Sequence, residues 1–117
     1  MSRRSRPTST LRSSAPVFAA LGDTTRLGIV ARLSRSGPNS IAGLTADSGV
    51  TRQAVAKHLR ILAEAGLVRA KRAGRETSWQ LLPGGLHEAR TNLDQIAHQW
   101  EDALGRLKAF LEEKPRR

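Results

Sequence analysis

The feature that most constrains the fold is a seven-residue apolar repeat near the end of the chain. Two sets of residues between Pro83 and Leu111 recur at every seventh position: Leu86, Leu93, Trp100 and Leu107, and Ala89, Ile96, Ala103 and Phe110. This spacing predicts one long amphipathic helix. A chain of 117 residues has a limited core to cover so broad a face. We therefore expect much of it to pack against a second copy of the chain. The alternative is that it closes the core of the monomer.

Ahead of this helix the sequence predicts four shorter helices and a β-hairpin. The first helix is expected to begin at Pro16, and residues that cap helix N-termini precede the next three: Asp23 or Thr24, Ser40 and Thr51. The buried faces of the second and fourth helices are predicted to be Leu27, Val30, Ala31 and Leu33, and Val55, Leu59 and Leu62. Residues 67–72 and 76–81 are predicted to pair as strands, with Thr77, Trp79 and Leu81 sharing one face and Trp79 packed in the core. The expected class is mainly α with a small β-hairpin, in the order α1-α2-α3-α4-β1-β2-α5.

Positive charge is concentrated in one stretch of the chain. Between Thr51 and Arg75 there are seven Lys and Arg against one Glu, whereas residues 83–111 carry three basic and four acidic side chains. The formal net charge of the whole chain is +10, which favours a polyanionic partner. The helix pair from Ser40 to Gly66 encloses a short glycine-containing turn, the arrangement that places a second helix in the major groove of DNA. The sequence therefore predicts a winged helix-turn-helix, with the basic hairpin as the wing.

Within this region the side chains suggest distinct roles. Arg52 and Gln53 are expected to read bases, since Arg pairs with guanine and Gln with adenine in the major groove. Lys57 and Arg60 are expected to bind phosphates, and His58 either does so or is a satisfied histidine at the edge of the core. The full expected DNA surface is Thr51, Arg52, Gln53, Ala56, Lys57, His58 and Arg60 on the helix, with Lys71, Arg72 and Arg75 on the wing. The alternative is a solvated charged face.

Three segments taken together resemble the ArsR/SmtB family of transcriptional regulators. They are residues 19–26 (AALGDTTR), 50–59 (VTRQAVAKHL) and 65–68 (AGLV), and the resemblance extends over residues 15–111. It implies a homodimer that is joined through its first and last helices and represses a promoter, often its own, until an inducer releases it. The expected dimer interface is Val17, Leu21, Leu86, Leu93, Ile96, Trp100, Leu104 and Leu107. The sequence does not identify the inducer.

Metal sensing is the usual chemistry of this family. The chain has no cysteine, which excludes the family's thiolate sites as well as disulfides. The family's zinc pattern on the last helix is matched by His87, His98 and Glu101, but Gly85 stands in place of its first acidic ligand. Because tetrahedral zinc takes four ligands, we expect no cofactor, with His98 near Asp94 on a solvated stripe. The Leu82-Pro83 joint after the wing and the last helix with Trp100 resemble family branches without a recognised metal. Zinc-responsive repression is the alternative.

The two ends of the chain have the composition of unstructured segments. Residues 1–14 are rich in Arg and Ser, with Leu11 as the only anchor, and predict a disordered basic arm that is either a solvated tail or a DNA contact. Residues 15–111 are expected to form one domain for DNA binding and dimerisation, followed by a flexible tail at 112–117.

Several classes of protein do not fit this sequence. It has no long apolar stretch and no basic amphipathic helix, so we expect a cytoplasmic protein without a membrane partner. No cysteine nucleophile, phosphate-binding glycine loop or Ser/His/Asp arrangement stands out, so we do not expect an enzyme. The expected partners are double-stranded DNA and a second copy of the chain. A small protein that binds nucleic acid without sequence preference is the alternative from another class.

Overall fold

The structure, a computed structural model, describes residues 7–46 and 48–113. Its elements there are α1 (Pro7–Leu21), α2 (Thr24–Ser36), α3 (Ile41–Thr45), α4 (Arg52–Glu64), β1 (Val68–Ala73), β2 (Glu76–Leu81) and α5 (Pro83–Glu112). The order is the predicted one, and the two strands form an antiparallel hairpin, so the winged helix-turn-helix architecture is confirmed. In these ranges no helix is both long enough and apolar enough to cross a membrane.

Three helices begin at side-chain caps, as the sequence predicted. Asp23, Ser40 and Thr51 each accept a hydrogen bond from the backbone N–H three residues further on, at 3.0 Å in every case. Each bond satisfies a donor that the first helical turn leaves without a partner. At the start of α2 the cap is therefore Asp23 rather than Thr24. Local chemistry alone sets these three boundaries.

The core is formed by residues from every helix and from the first strand. Its buried members are Val17, Ala20, Ile29, Val30, Leu33, Leu44, Val55, Leu59, Leu62, Leu67, Val68 and Ala89. The stripe predicted for α4 is confirmed, since all three of its residues are at most 1% exposed. The face predicted for α2 is partly wrong, because Leu27 is 52% exposed and Ile29 is buried instead. At about 100° per residue, Leu27 lies roughly 110° from the centre of the face formed by Ile29, Val30 and Leu33.

The hairpin is attached to the body of the molecule through Trp79. The strands pair from Val68↔Leu81 to Ala73↔Glu76, so β1 begins one residue later than predicted. Asn39 and Trp79 exchange backbone hydrogen bonds of 3.0 and 2.7 Å, and Trp79 is half-buried against the core, as expected. Thr77 is exposed, although it was predicted to share the buried face, because the end of the hairpin extends beyond the core.

Helix α1 differs most from the prediction. It begins at Pro7 rather than Pro16, so residues 7–14 are helical and not part of a disordered arm. Residues 1–6 of that arm lie outside the described residues, as do residues 114–117 of the predicted tail. The physical reason is a contact distant in sequence: Ser14 is buried and accepts a hydrogen bond from the side-chain amide of Asn92 on α5. Composition could not reveal this packing, and Pro16 lies inside the helix.

Helix α5 changes its surroundings along its length. It begins at Pro83 as predicted and ends at Glu112, one residue beyond the predicted end of the domain. Its first three turns pack on α1 and the core, where Ala89 and Asn92 are buried and Leu86 is half-buried. Beyond this section every residue from 97 to 113 is exposed. Most of the apolar repeat is therefore not used by the core of its own chain.

Candidate nucleic-acid interface

Helix α4 is held so that its first two turns present polar side chains to solvent. Val55 and Leu59 anchor one side in the core, while Arg52, Gln53 and Lys57 on other sides are exposed. The Thr51 cap stabilises the first turn of this helix, which carries Arg52 and Gln53.

These exposed groups have the chemistry required to read a DNA groove. A guanidinium and a carboxamide each make two hydrogen bonds to a base edge, the first to guanine and the second to adenine. Lys57 and Arg60 are both exposed, and a backbone phosphate can pair with the compact ammonium of Lys57 or with the planar guanidinium of Arg60. Thr51 is exposed and Ala56 is half-buried between these side chains, which leaves room for close approach of the helix.

The wing carries a second group of exposed cations. Lys71, Arg72 and Arg75 surround the turn of the hairpin, and Gly74 there has φ +63°, a left-handed conformation that glycine adopts without strain. On the strand, Gln80 can accept from the Arg69 guanidinium at 3.1 and 3.2 Å when its amide oxygen faces that group. Arg69 was not predicted as a site residue; its exposed position beside the wing cations makes it a further phosphate-binding candidate.

His58 makes two close contacts within its own chain. Its Nδ1 lies 3.2 Å from Nη1 of Arg26 and 3.9 Å from a carboxylate oxygen of Asp23, and its side chain is only 21% exposed. The Arg26 backbone N–H, which donates to Asp23, lowers the pKa of that carboxyl, and the charge of Arg26 and the nearby His58 add to the effect. His58 is therefore held at the edge of the core through Nδ1, and its contact with a DNA phosphate stays a prediction.

Arg26 joins three helices, a role that the sequence reasoning missed. Its Nε donates to the backbone oxygen of Ala20 in α1 at 2.7 Å, while Nη1 contacts His58 of α4. Arg26 itself lies in the first turn of α2, next to its cap Asp23. A guanidinium has donors enough for both contacts. The only available signal was its place in the family-like segment 19–26.

The predicted dimer residues fall into two groups in the structure. Leu93, Trp100, Leu104 and Leu107 are each more than half exposed, and Ile96 is half-buried. Leu21 and Leu86 are half-buried against the core of their own chain, and Val17 is only 7% exposed. Val17 is therefore a core residue with little exposed surface in the single chain, and its part in the interface stays a prediction.

The weak zinc candidates are not brought together within one chain. His87, His98 and Glu101 are exposed, and across residues 7–46 and 48–113 no three His, Asp or Glu side chains form a metal-binding group. His98 lies 3.7 Å from Asp102, one turn further along, and it lines the same surface depression as Asp94, the neighbour that was expected. At Gly85, where the family pattern has an acid, an added Cβ would lie 2.8 Å from the backbone oxygen of Gly66. The close packing of these two backbones thus opposes a ligand at that position.

Comparisons with known proteins agree with this geometry. Residues 21–70 match a family model described as a helix-turn-helix domain. The chain is 43% identical to the HTH-type transcriptional regulator Rv2034 of Mycobacterium tuberculosis; the match covers 82% of this chain and 86% of that relative. It is 34% identical to the HTH-type transcriptional repressor SmtB of the same species; this match covers 84% of this chain and 70% of that relative.

Solved structures give the same result. The fold is similar to that of an ArsR-like transcriptional regulator from Rhodococcus sp. RHA1, with a TM-score of 0.75, 37% identity, and coverage of 86% of this chain and 94% of that chain. It is also similar to the homodimeric winged helix-turn-helix DNA-binding domain Mb0332 from Mycobacterium bovis, with a TM-score of 0.61, 27% identity, and coverage of 85% and 91%. On its sequence, its architecture and these relatives, the chain belongs to the ArsR/SmtB family of winged helix-turn-helix transcriptional regulators.

Proposed function

We propose that the protein is a homodimeric repressor that reads an inverted repeat in double-stranded DNA. The observation that carries this proposal is the start of α4, where Arg52, Gln53 and Lys57 are exposed on a helix whose opposite side is fixed in the core. Base-reading groups on a rigid helix favour sequence preference, whereas the wing cations add affinity that does not depend on sequence. The name of one relative, a transcriptional repressor, supports the direction of regulation.

The second half of α5 supports dimerisation. An exposed apolar face on a terminal helix is unfavourable in water unless it is covered, and here Leu93, Trp100, Leu104 and Leu107 are all more than half exposed. Two copies related by a twofold axis cover the same face on each other. The homodimeric state of the Mycobacterium bovis relative supports this arrangement. A twofold dimer presents two α4 helices and therefore reads two half-sites.

The functional alternative is a basic protein that binds any nucleic acid. It shares the charge but predicts equal affinity for all sequences and a steep dependence on salt. A cytoplasmic repressor instead binds its operator about a thousandfold or more tighter than random DNA at physiological salt. The ratio of the two affinities, rather than either affinity alone, separates the two functions.

The experiment is fluorescence anisotropy with DNA from immediately upstream of the gene and with random DNA of equal length. Tight binding to one upstream site, with protection of an inverted repeat in a footprint, is the expected result. A chelator and then zinc are added to the same complex, and we expect neither to change the affinity. Equal affinity for every fragment, including fragments selected from random genomic DNA, contradicts the proposal, and release by zinc supports the metal-responsive alternative.

A further inference from the structure

A cavity of about 320 Å³ lies between α2, the end of α3 and the start of α4. Its size falls within the range of about 300–1,000 Å³ that is typical of small-molecule sites. The apolar side chains of Ile29, Leu44 and Val55 line it, and each belongs to a different helix. Arg32, Thr25 and Ser48 add polar groups. The site is therefore mostly apolar, with a few groups that can orient a ligand.

The polar groups of this cavity select a negatively charged ligand. Among the described residues that line it there is a guanidinium, on Arg32, but no carboxylate. Nη1 of Arg32 is 3.5 Å from the backbone oxygen of Ala46, a long and weak contact, so most of its donors remain available. Asp23, which precedes the lining residue Thr24 in the chain, already accepts from the backbone of Arg26. A carboxylate matches the planar donor arrangement of Arg32.

We propose that this cavity binds a small monocarboxylate with an apolar body, and that this binding weakens the hold of the protein on DNA. The second part rests on the proposed repressor function; the first part does not. The carboxylate pairs with Arg32, and the apolar body lies along Val50 and Gly28, over the nearly covered side chains of Ile29 and Val55.

The position of the cavity couples it to the DNA surface. Val50, which also lines it, directly precedes the Thr51 cap of α4, and Val55 lies one turn into that helix. A ligand held at once by α2 and by this part of α4 favours the arrangement in which the cavity is open. If DNA binding moves α4 toward α2, the bound ligand must either dissociate or lower the affinity for DNA. Coupling between two such sites typically changes affinity by about 5–150-fold.

The ligand part is tested by isothermal titration calorimetry on the full chain without DNA. The probes are octanoate and 4-phenylbutyrate, with 4-phenylbutylamine as a control of the same shape and opposite charge. Both carboxylates are expected to bind and the amine is not. Arg32→Met should weaken binding about tenfold or more, since it removes a charged hydrogen bond, and Arg32→Lys should retain part of it. Arg35→Met, an exposed position on the same helix, is the matched control.

A second variant tests the cavity by filling it. Gly28 lines the cavity, and an added Cβ there meets no atom within 4 Å, so Gly28→Leu introduces a side chain without a backbone clash. It should abolish binding of both carboxylates. Gly84→Leu, at an equally open glycine outside the cavity, should not. Any of three results overturns the proposal. The first is binding that neither Arg32→Met nor Gly28→Leu changes, the second is equal binding of the amine, and the third is no binding of either carboxylate at millimolar concentration.

The regulatory part is measured by adding the probes to the protein–operator complex. We expect 4-phenylbutyrate to lower operator affinity about fivefold or more for the wild type and for Arg35→Met, but not for Arg32→Met. Binding of the probe with no change in operator affinity overturns this part. If calorimetry gives the expected pattern while the protein shows no preference for any DNA, the repressor function is wrong and the carboxylate site stands.

Discussion

Replacing Trp100 with aspartate tests the assignment of the α5 face most directly. Trp100 lies in the exposed part of α5, so the substitution removes apolar surface without touching the buried core. It also places a charge where a second chain would exclude water, which costs far more than the loss of contact alone. We expect Trp100→Asp to be a monomer with weak operator affinity.

The size of the effect follows from the exposure of the side chain. Trp100 exposes 65% of its surface in a single chain. A tryptophan buries up to about 250 Å², so complete coverage removes roughly 150 Å² from water, worth about 4 kcal/mol at about 25 cal/mol per Å². A symmetric dimer contains the side chain twice, which gives an upper limit of about 8 kcal/mol. This corresponds to about 5 × 10⁵-fold in the dimer dissociation constant.

Sedimentation velocity at micromolar protein concentration measures the change. Gln99→Asp is the matched control, because it introduces the same charge at the adjacent exposed position of α5, outside the apolar repeat. The control should remain dimeric and retain operator affinity. A Trp100→Asp protein that sediments as a dimer, or a wild type that is monomeric at this concentration, would refute the reasoning.

Three further predictions concern DNA reading, pH and packing. Arg52→Ala should reduce discrimination at particular base pairs by about 1–3 kcal/mol, whereas Lys71→Ala should weaken binding to all sequences and lower the slope of log affinity against log salt concentration by about one. Fluorescence anisotropy on single-base operator variants measures both effects. Equal losses of affinity for operator and random DNA from Arg52→Ala would remove its base-reading role. Because the folded pKa of Asp23 lies below its ordinary value of 3.8, the stabilising effect of the ionised carboxylate is complete above that pH and is lost as the pH falls through the folded pKa. Asp23→Asn, which caps without titrating, should flatten this part of a plot of unfolding free energy, measured with urea, against pH. An unchanged plot contradicts the role of the ionised Asp23 cap. Gly85→Ala should lower the melting temperature, because the added Cβ would lie 2.8 Å from a backbone oxygen. Gly84→Ala, in open space, should instead raise the free energy of unfolding by about 0.4–1 kcal/mol. Equal changes in the stability of the two variants would argue against the close contact at Gly85.

At the candidate interface, the sequence was informative where a side chain acts from the exposed face of a regular helix. Arg52, Gln53 and Lys57 avoid the apolar stripe of α4 in the sequence and are exposed in the structure. His58 lies beside that stripe, and its surroundings depend on Asp23 and Arg26, more than thirty residues earlier. A partner from another helix leaves no mark on the local pattern, so His58 could not be assigned from its neighbours in the chain.

The sequence by itself determined the order of elements, the caps at Ser40 and Thr51 and the extent of the apolar repeat in α5. These features depend on hydrogen bonds within one helical turn and on helical periodicity, both of which act between neighbouring residues. Only the tertiary structure decided that α1 extends back to Pro7, that Val17 is a core residue and that a cavity lies where α2, α3 and the start of α4 meet. Each of these depends on which surfaces meet when helices distant in the chain pack together. The energy of that packing is spread over contacts that the pattern of any single segment does not contain.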